Sequence, residues 1–203
     1  MFGLGGWIAW NASITGIDFF NSRFKPDYDP SFTFGFVFTW PLFLGNFALL
    51  YLADRVPLWV KINISFAVIM IWTLSMPFIP QYLPTTSAWY ILLVSIFLNG
   101  LSNSFVQGGL FGFASIFPPK YIGIMMTTQA LSAVIINFVK IFCILILPPD
   151  NDKGKDDMNI YYNSIIYTVV GVVIVAMCIV GYNYIYKLEY AQYYIRRANR
   201  NAM

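Results

Sequence analysis

Residues 160–186 read IYYNSIIYTVVGVVIVAMCIVGYNYIY, a run in which no residue is charged. An α-helix needs about 20 mainly apolar residues to cross the hydrocarbon core of a lipid bilayer. Similar apolar runs follow one another along the rest of the chain, and short polar or proline-containing segments separate them. The sequence therefore predicts an all-α, polytopic membrane protein.

The composition of the whole chain supports the same fold class. Hydrophobic residues make up 59% of the 203 residues and charged residues only 10%, and the mean hydropathy is +0.66. Ordinary soluble domains have about 25% charged residues. Open β-strands would leave backbone groups unpaired in lipid, and barrel strands would alternate between apolar and polar residues. Transmembrane helices are the prediction that remains.

The apolar runs divide one transmembrane helical domain, residues 1–203, into six predicted spans. The first run lacks a basic segment before it and a cleavage site after it, so we do not expect a signal peptide. A basic tail, residues 187–203, follows the last span. The spans are residues 2–20, 32–52, 59–79, 88–113, 122–147 and 160–186.

The distribution of charge predicts how these spans are oriented. With six spans, one side of the membrane carries Arg55, Lys61, Lys120, Lys187, Arg196, Arg197 and Arg200. The opposite side has fewer basic residues, and aspartates accompany them: Arg23, Lys25, Lys153 and Lys155, with Asp27, Asp29, Asp150, Asp152, Asp156 and Asp157. The positive-inside bias places both termini on the cytoplasmic or matrix side. The membrane is predicted to be the plasma membrane or an organelle inner membrane, for instance the mitochondrial one.

Residues for enzyme chemistry are scarce. The chain has no histidine, which is the commonest metal ligand and the commonest general base. Cys143 and Cys178 lie in apolar runs and indicate membrane-core residues, not a disulfide framework. The net charge of +3 is too small to indicate a nucleic-acid partner. We therefore expect no catalytic residue, no metal site and no cofactor.

Besides Lys61 in the first turn of the third span, two charged residues, Asp18 and Lys140, fall inside predicted spans, where such residues are candidates for function. The first and fifth spans run in the same direction, so both residues lie toward the same face of the membrane. They form an intramembrane ion pair in one interpretation. In the other, the Lys140 side chain extends to the headgroups and Asp18 marks a helix end.

Uncharged polar residues inside the spans leave two interpretations open: a path for a polar solute, or hydrogen bonds between helices. Gly108 and Gly112 form a small-xxx-small pair that predicts close helix packing, as do Gly3, Gly5 and Gly6. The uncharged polar residues that leave the two interpretations open are Trp10 and Asn11 in the first span, Asn99, Ser102, Asn103, Ser104 and Gln107 in the fourth, and Thr127, Thr128 and Gln129 in the fifth.

Four short motifs stand in order along the chain and together cover nearly all of it. They are residues 3–11 (GLGGWIAWN), residues 107–112 (QGGLFG), residues 119–121 (PKY) with Met125, Met126, Gln129 and Leu131, and residues 187–190 (KLEY) with Tyr193 and Tyr194. Each motif is modest alone, whereas the ordered set is fairly specific. On these residues the sequence resembles the equilibrative nucleoside transporter family.

The resemblance implies a six-helix fold like the N-terminal lobe of a major-facilitator-like nucleoside transporter. In that family the substrate lies between two lobes. By the same resemblance, Trp10 packs against the nucleoside and Gln107 bonds its base. The chain departs from the family pattern at Ala9, where the family has proline, and at Lys140, which is an unusual charge.

The chain ends where the family's long central loop begins, so the helices of a second half are absent from it. Alternating access needs two halves that rock against each other around a shared site. The sequence therefore favours an accessory subunit, derived from a transporter half, in a larger membrane complex. Its partners would be the lipid bilayer and other membrane subunits, with a nucleoside as a further candidate. The alternatives are a half-size nucleoside or nucleobase transporter that works as a dimer or with a separate second half, a fragment of a longer transporter, and, last, an enzyme.

Overall fold

The computed structural model describes residues 2–52, 55–149 and 158–201, and this part of the chain is almost entirely helical. The all-α prediction is confirmed. The helices are α1 (Phe2–Thr15), α2 (Ile17–Phe24), α3 (Pro30–Leu52), α4 (Leu58–Ser75), α5 (Ile79–Tyr82), α6 (Thr85–Ser115), α7 (Lys120–Ile146), α8 (Met158–Lys187) and α9 (Glu189–Asn201).

Within the described residues, five helical stretches are long and apolar enough to cross a membrane. They match the second to sixth predicted spans, and the protein is an integral, polytopic membrane protein. The stretches are Pro30–Leu49, Leu58–Tyr82, Thr85–Ser115, Lys120–Ile146 and Met158–Lys187.

The first predicted span is not one continuous helix. It is divided at Gly16 into α1 and α2. Gly16 has φ −82° and ψ 13°, which departs from helical ψ. Glycine is a poor helix former, since it has the most backbone freedom to lose. The backbone N–H of Phe19 still donates to the Gly16 carbonyl at 3.1 Å. The break is therefore confined to about one residue.

Prolines mark the beginnings of the long helices. α3 starts at Pro30, and Pro57, Pro84 and Pro119 directly precede α4, α6 and α7. The first turn of a helix has backbone N–H groups without a partner in the helix, so a residue that has no N–H fits there. This local preference limits where each helix can begin.

The helices pack around α1 and α6. α1 lies against α7 and α8, while α6 lies against α3 and α4, and α4 also contacts α8. One buried cluster includes Ile8, Phe66 and Tyr182, and a second includes Phe19 and Trp89. Most other large apolar side chains on α3, α7 and α8 are exposed, as expected for a surface that faces lipid.

The predicted basic tail contains a further helix, α9. Its Ala191 is buried, and Tyr190 and Tyr194 lie over the ring of Phe117, which follows α6. Hydrogen bonds to the side chains of Tyr194 and Tyr121 raise the pKa of Tyr190. α9 is therefore a packed element and folds back over the end of the bundle.

Part of the predicted orientation rests on residues whose structure is not described. The charged loop of residues 150–157 lies outside the described residues, and so do the side chains of Arg196 and Arg200. The side of each terminus stays a prediction.

Candidate functional site

Trp10, which the sequence predicts to contact a nucleoside, lies on α1 and stacks on another ring. Its ring centroid is 3.8 Å from that of Phe38 on α3, and the two planes differ by 10°. Phe38 is buried, whereas Trp10 keeps part of its surface exposed. One face of the indole is thus supported from within the protein, which fixes the orientation of the ring.

Asn11 follows Trp10 and joins α1 to α7. Its Nδ2 donates to the Ser132 hydroxyl at 2.7 Å, and that hydroxyl donates to the Gln129 carbonyl at 2.6 Å. Ser132 is fully buried. The Gln129 side-chain Nε2 is also buried, and it has no hydrogen-bond partner among the described residues.

A row of carboxamides follows one face of α6. Asn99, Asn103 and Gln107 are spaced four residues apart, so they lie above one another on the helix. Gln107 Nε2 donates to Asn103 Oδ1 at 3.3 Å. Asn99 and Asn103 are buried, and Asn99 Oδ1 has no partner in the described part of the chain.

The side chains of Asn11, Asn99, Asn103, Gln107 and Gln129, called the amide set below, come from three helices that contact one another. Each carboxamide has an acceptor oxygen and a donor nitrogen. Buried polar atoms are normally paired, so the free Asn99 oxygen and Gln129 nitrogen need an explanation. Carboxamides of this kind can bond an uncharged polar ligand, and they provide no group for acid–base chemistry.

The structure brings Asp18 and Lys140 together at the break between α1 and α2. Lys140 Nζ lies 2.9 Å from Asp18 Oδ2 and donates to the Thr15 carbonyl at 3.3 Å. The Asp18 side chain is 63% exposed and that of Lys140 28%. The ammonium therefore bridges the end of α1, the first turn of α2 and α7.

The two predicted packing glycines on α6 have different surroundings. A Cβ atom on Gly108 would lie 2.6 Å from Leu49 Cδ1 of α3, whereas one on Gly112 would lie 4.0 Å from Leu58 Cδ1 of α4. A Cβ on Gly3 would collide with the Met125 carbonyl, and one on Gly5 would lie 2.5 Å from Cys178 Sγ. Gly3, Gly5 and Gly108 thus lie at close helix contacts, and Gly112 has more room.

Sequence reasoning missed several polar contacts between helices. Ser132 makes one of these contacts. The available signal was its position three residues after Gln129, on nearly the same face of α7. Trp59 is another case, because its Nε1 donates to Asn183 Oδ1 at 2.9 Å. Asn183 Nδ2 in turn donates to Asn63 Oδ1 at 2.7 Å. This network ties α4 to α8.

The described residues contain no group of three histidine, cysteine, aspartate or glutamate side chains that is placed to hold a metal ion.

Comparison with known proteins places the chain among membrane transporters. The family model described as nucleoside transporter matches residues 93–202, which is more than half of the chain. The chain belongs to the nucleoside transporter family. The predicted resemblance is thereby confirmed.

Individual nucleoside transporter relatives match almost the whole chain. It is 25% identical to equilibrative nucleotide transporter 1 of Arabidopsis thaliana over 97% of this chain and 44% of that protein. It is 26% identical to equilibrative nucleotide transporter 8 of the same plant over 97% of this chain and 50% of that protein. It is 22% identical to equilibrative nucleoside transporter 4 of Danio rerio over 98% of this chain and 37% of that protein.

The chain spans about half the length of the curated relatives it matches. The matched half is their N-terminal part.

Proposed function

We propose that this chain forms one lobe of a transporter for nucleosides or related solutes. The observation that carries the proposal is the amide set, because two of its buried atoms, Asn99 Oδ1 and Gln129 Nε2, lack partners among the described residues. A polar group left unpaired inside an apolar bundle costs free energy, so a ligand that pairs with it gains affinity. The nucleoside and nucleotide transporters among the relatives support this choice.

Trp10 and Gln107 have distinct roles in the proposed path. Phe38 holds one face of the Trp10 indole, and the exposed remainder of the ring packs against the base of the solute. The Gln107 carboxamide keeps its oxygen for the edge of the base while its nitrogen donates to Asn103. Neither residue carries charge, which suits an uncharged nucleobase.

A second lobe is needed for transport, because alternating access moves two lobes around a shared site. A second copy, a separately encoded lobe or a continuation of the polypeptide can supply it. In the proposed arrangement both termini lie on the cytoplasmic or matrix side, and the membrane is the plasma membrane or an organelle inner membrane.

An accessory subunit of a larger membrane complex is the second candidate. The contacts that favour it are the Asn11–Ser132 hydrogen bond and the stacking of Trp10 on Phe38. Both show that residues of the predicted path also hold helices together, as a purely structural subunit requires. The transport lobe is proposed first, since the chain belongs to the nucleoside transporter family. On a native gel from mild detergent, the accessory subunit migrates with a very large complex.

A chimera tests the transport proposal. The matched N-terminal part of Arabidopsis equilibrative nucleotide transporter 1 is replaced with this chain, and uptake of radiolabelled adenosine is measured in cells that lack endogenous uptake. Gln107→Ala and Trp10→Ala are compared with Phe47→Ala, which removes an exposed ring on α3. Surface amounts are matched with a fluorescent tag.

We expect saturable uptake that falls about tenfold or more with Gln107→Ala or Trp10→Ala, the effect of one lost hydrogen bond or ring contact. Phe47→Ala should stay within about twofold of the parent, because surface substitutions have small effects. A chimera that reaches the surface without uptake would contradict the proposal. Equal uptake by the parent and Gln107→Ala would do so as well, and either result favours the accessory subunit.

A further inference from the structure

A cavity separate from the amide set opens at one end of the bundle. Its volume is about 420 Å³, within the range of small-molecule sites. The ends of α1, α6, α7 and α8 and the start of α9 surround it. Among its lining residues are Phe2, Phe113, Phe117, Tyr121, Ile185 and Tyr190.

The walls of this cavity suit a hydrocarbon chain better than a polar solute. Thr128 lines it, but the Thr128 hydroxyl already donates to the carbonyls of Ile124 and Met125 within α7. The other lining groups are almost wholly apolar. A nucleoside would lose hydrogen bonds to water there without replacing them, whereas an acyl chain would lose none.

Cationic side chains lie beside the cavity. Lys120 Nζ stands 5.3 Å from the centroid of the Tyr121 ring, which forms part of the wall. Lys187 ends α8 directly before Leu188, another lining residue. Arg197 lies seven residues after Tyr190 and so on the same face of α9. All three are exposed, and Glu189 is the acidic residue of this region.

α9 has the character of a helix that lies on a membrane surface. Its aromatic side packs on Phe117, and its second half carries arginine. Amphipathic helices with basic polar faces bind at the headgroup level and prefer anionic lipids. A helix of this kind would put the cavity mouth and the cations at the depth where a lipid headgroup ends and its acyl chain begins.

We propose that this cavity binds one anionic phospholipid, with an acyl chain inside it and the phosphate at Lys120, Lys187 and Arg197. The site is distinct from the solute path and does not depend on the proposed transport function. Bound lipid would fill the space between α7, α8 and α9 and hold α9 against the bundle.

Native mass spectrometry of the full chain tests the proposal. The protein is purified in detergent with an equimolar mixture of phosphatidylglycerol and phosphatidylcholine, and retained lipids are counted. The parent should retain one phosphatidylglycerol in clear preference to phosphatidylcholine. Ile185→Trp fills the cavity, so the amount of retained lipid should fall about fivefold or more. Val169→Trp, an exposed position on the same helix, is the matched control and should retain it.

A second set of variants tests the headgroup separately and leaves the buried core unchanged. The triple variant Lys120→Gln, Lys187→Gln, Arg197→Gln should lose its preference for phosphatidylglycerol by about tenfold or more, since each cation near a membrane surface changes anionic-lipid affinity about fivefold. Lys25→Gln removes an exposed cation from the segment after α2 and should keep the preference.

Several results would overturn the proposal. The parent could retain no lipid, or it could retain the two lipids equally. Ile185→Trp and Val169→Trp could also retain equal amounts of lipid. An unchanged preference in the triple variant would refute the headgroup assignment. The absence of retained lipid would also point to a protein segment as the occupant of the cavity.

Discussion

Lys140 carries a charge within a membrane-spanning helix, and its ammonium reaches two oxygen atoms at the α1–α2 break. The sequence predicted Asp18 and Lys140 toward one face of the membrane, because odd-numbered spans run in the same direction, and their side chains lie 2.9 Å apart. It left open whether they meet, since a lysine side chain is long enough to extend to the headgroups instead.

The coupling between these two residues should be measurable but small. We expect Asp18→Asn, Lys140→Met and the double variant to give an interaction free energy of about 0.2–1 kcal/mol, because Asp18 is mostly exposed. The measurement is the free energy of unfolding in mixed micelles titrated with a denaturing detergent. Strictly additive effects would show that the pair contributes nothing to stability.

The buried Asn11–Ser132 hydrogen bond gives a second prediction. Ser132→Ala should lower the free energy of unfolding by about 0.6 kcal/mol, the average for hydrogen bonds between membrane helices, and by no more than about 1.7 kcal/mol, their maximum. Thr39→Ala is a matched control, because Thr39 is exposed and its hydroxyl donates to Gly35 in its own helix. Equal effects of the two substitutions would contradict a special role for the contact between α1 and α7.

Helix positions followed closely from apolar length and proline, whereas two element-scale features did not. The break at Gly16 interrupts an otherwise apolar run, and a lone glycine in such a run is often tolerated. The sequence predicted only a basic tail where α9 lies. The aromatic residues of α9 pack on Phe117, which lies between α6 and α7, far away along the chain. Both features depend on tertiary contacts that no local pattern contains.

Glycine substitutions test the packing of α3 against α6. A Cβ on Gly100 would collide with the Phe38 carbonyl of α3 and lie 3.0 Å from Pro41 Cγ. Gly100→Ala should therefore destabilise the protein by about 1–3 kcal/mol, the usual cost of overpacking. Backbone atoms cannot move aside as a flexible side chain can.

Gly35→Ala on α3 is the control for Gly100→Ala. No described atom lies within 4 Å of a Cβ built on Gly35, apart from its own helix and neighbours. The substitution should leave stability unchanged or raise it by up to about 1 kcal/mol through helix propensity. Thermal unfolding in detergent compares the two variants. A Gly100→Ala protein as stable as Gly35→Ala would rule out the close approach of α6 to α3.

At the scale of the whole molecule, composition was sufficient to predict a polytopic helical membrane protein, and ordered motifs were sufficient to predict the family. The partners of individual amides were beyond the sequence. Asn11 Nδ2 donates to Ser132 of a neighbouring helix, whereas Asn99 Oδ1 has no partner among the described residues. Such differences depend on the positions of neighbouring helices to a fraction of an ångström.

In the proposed function this chain contributes one lobe of a two-lobe solute path. The decisive measurement is uptake of radiolabelled adenosine into sealed liposomes, reconstituted at fewer than one chain per vesicle. The chimera with the second lobe of the plant relative serves as the positive control in the same lipid. We predict saturable uptake by the chimera and none by the isolated chain. Saturable uptake by single isolated chains, abolished by Gln107→Ala, would contradict the account.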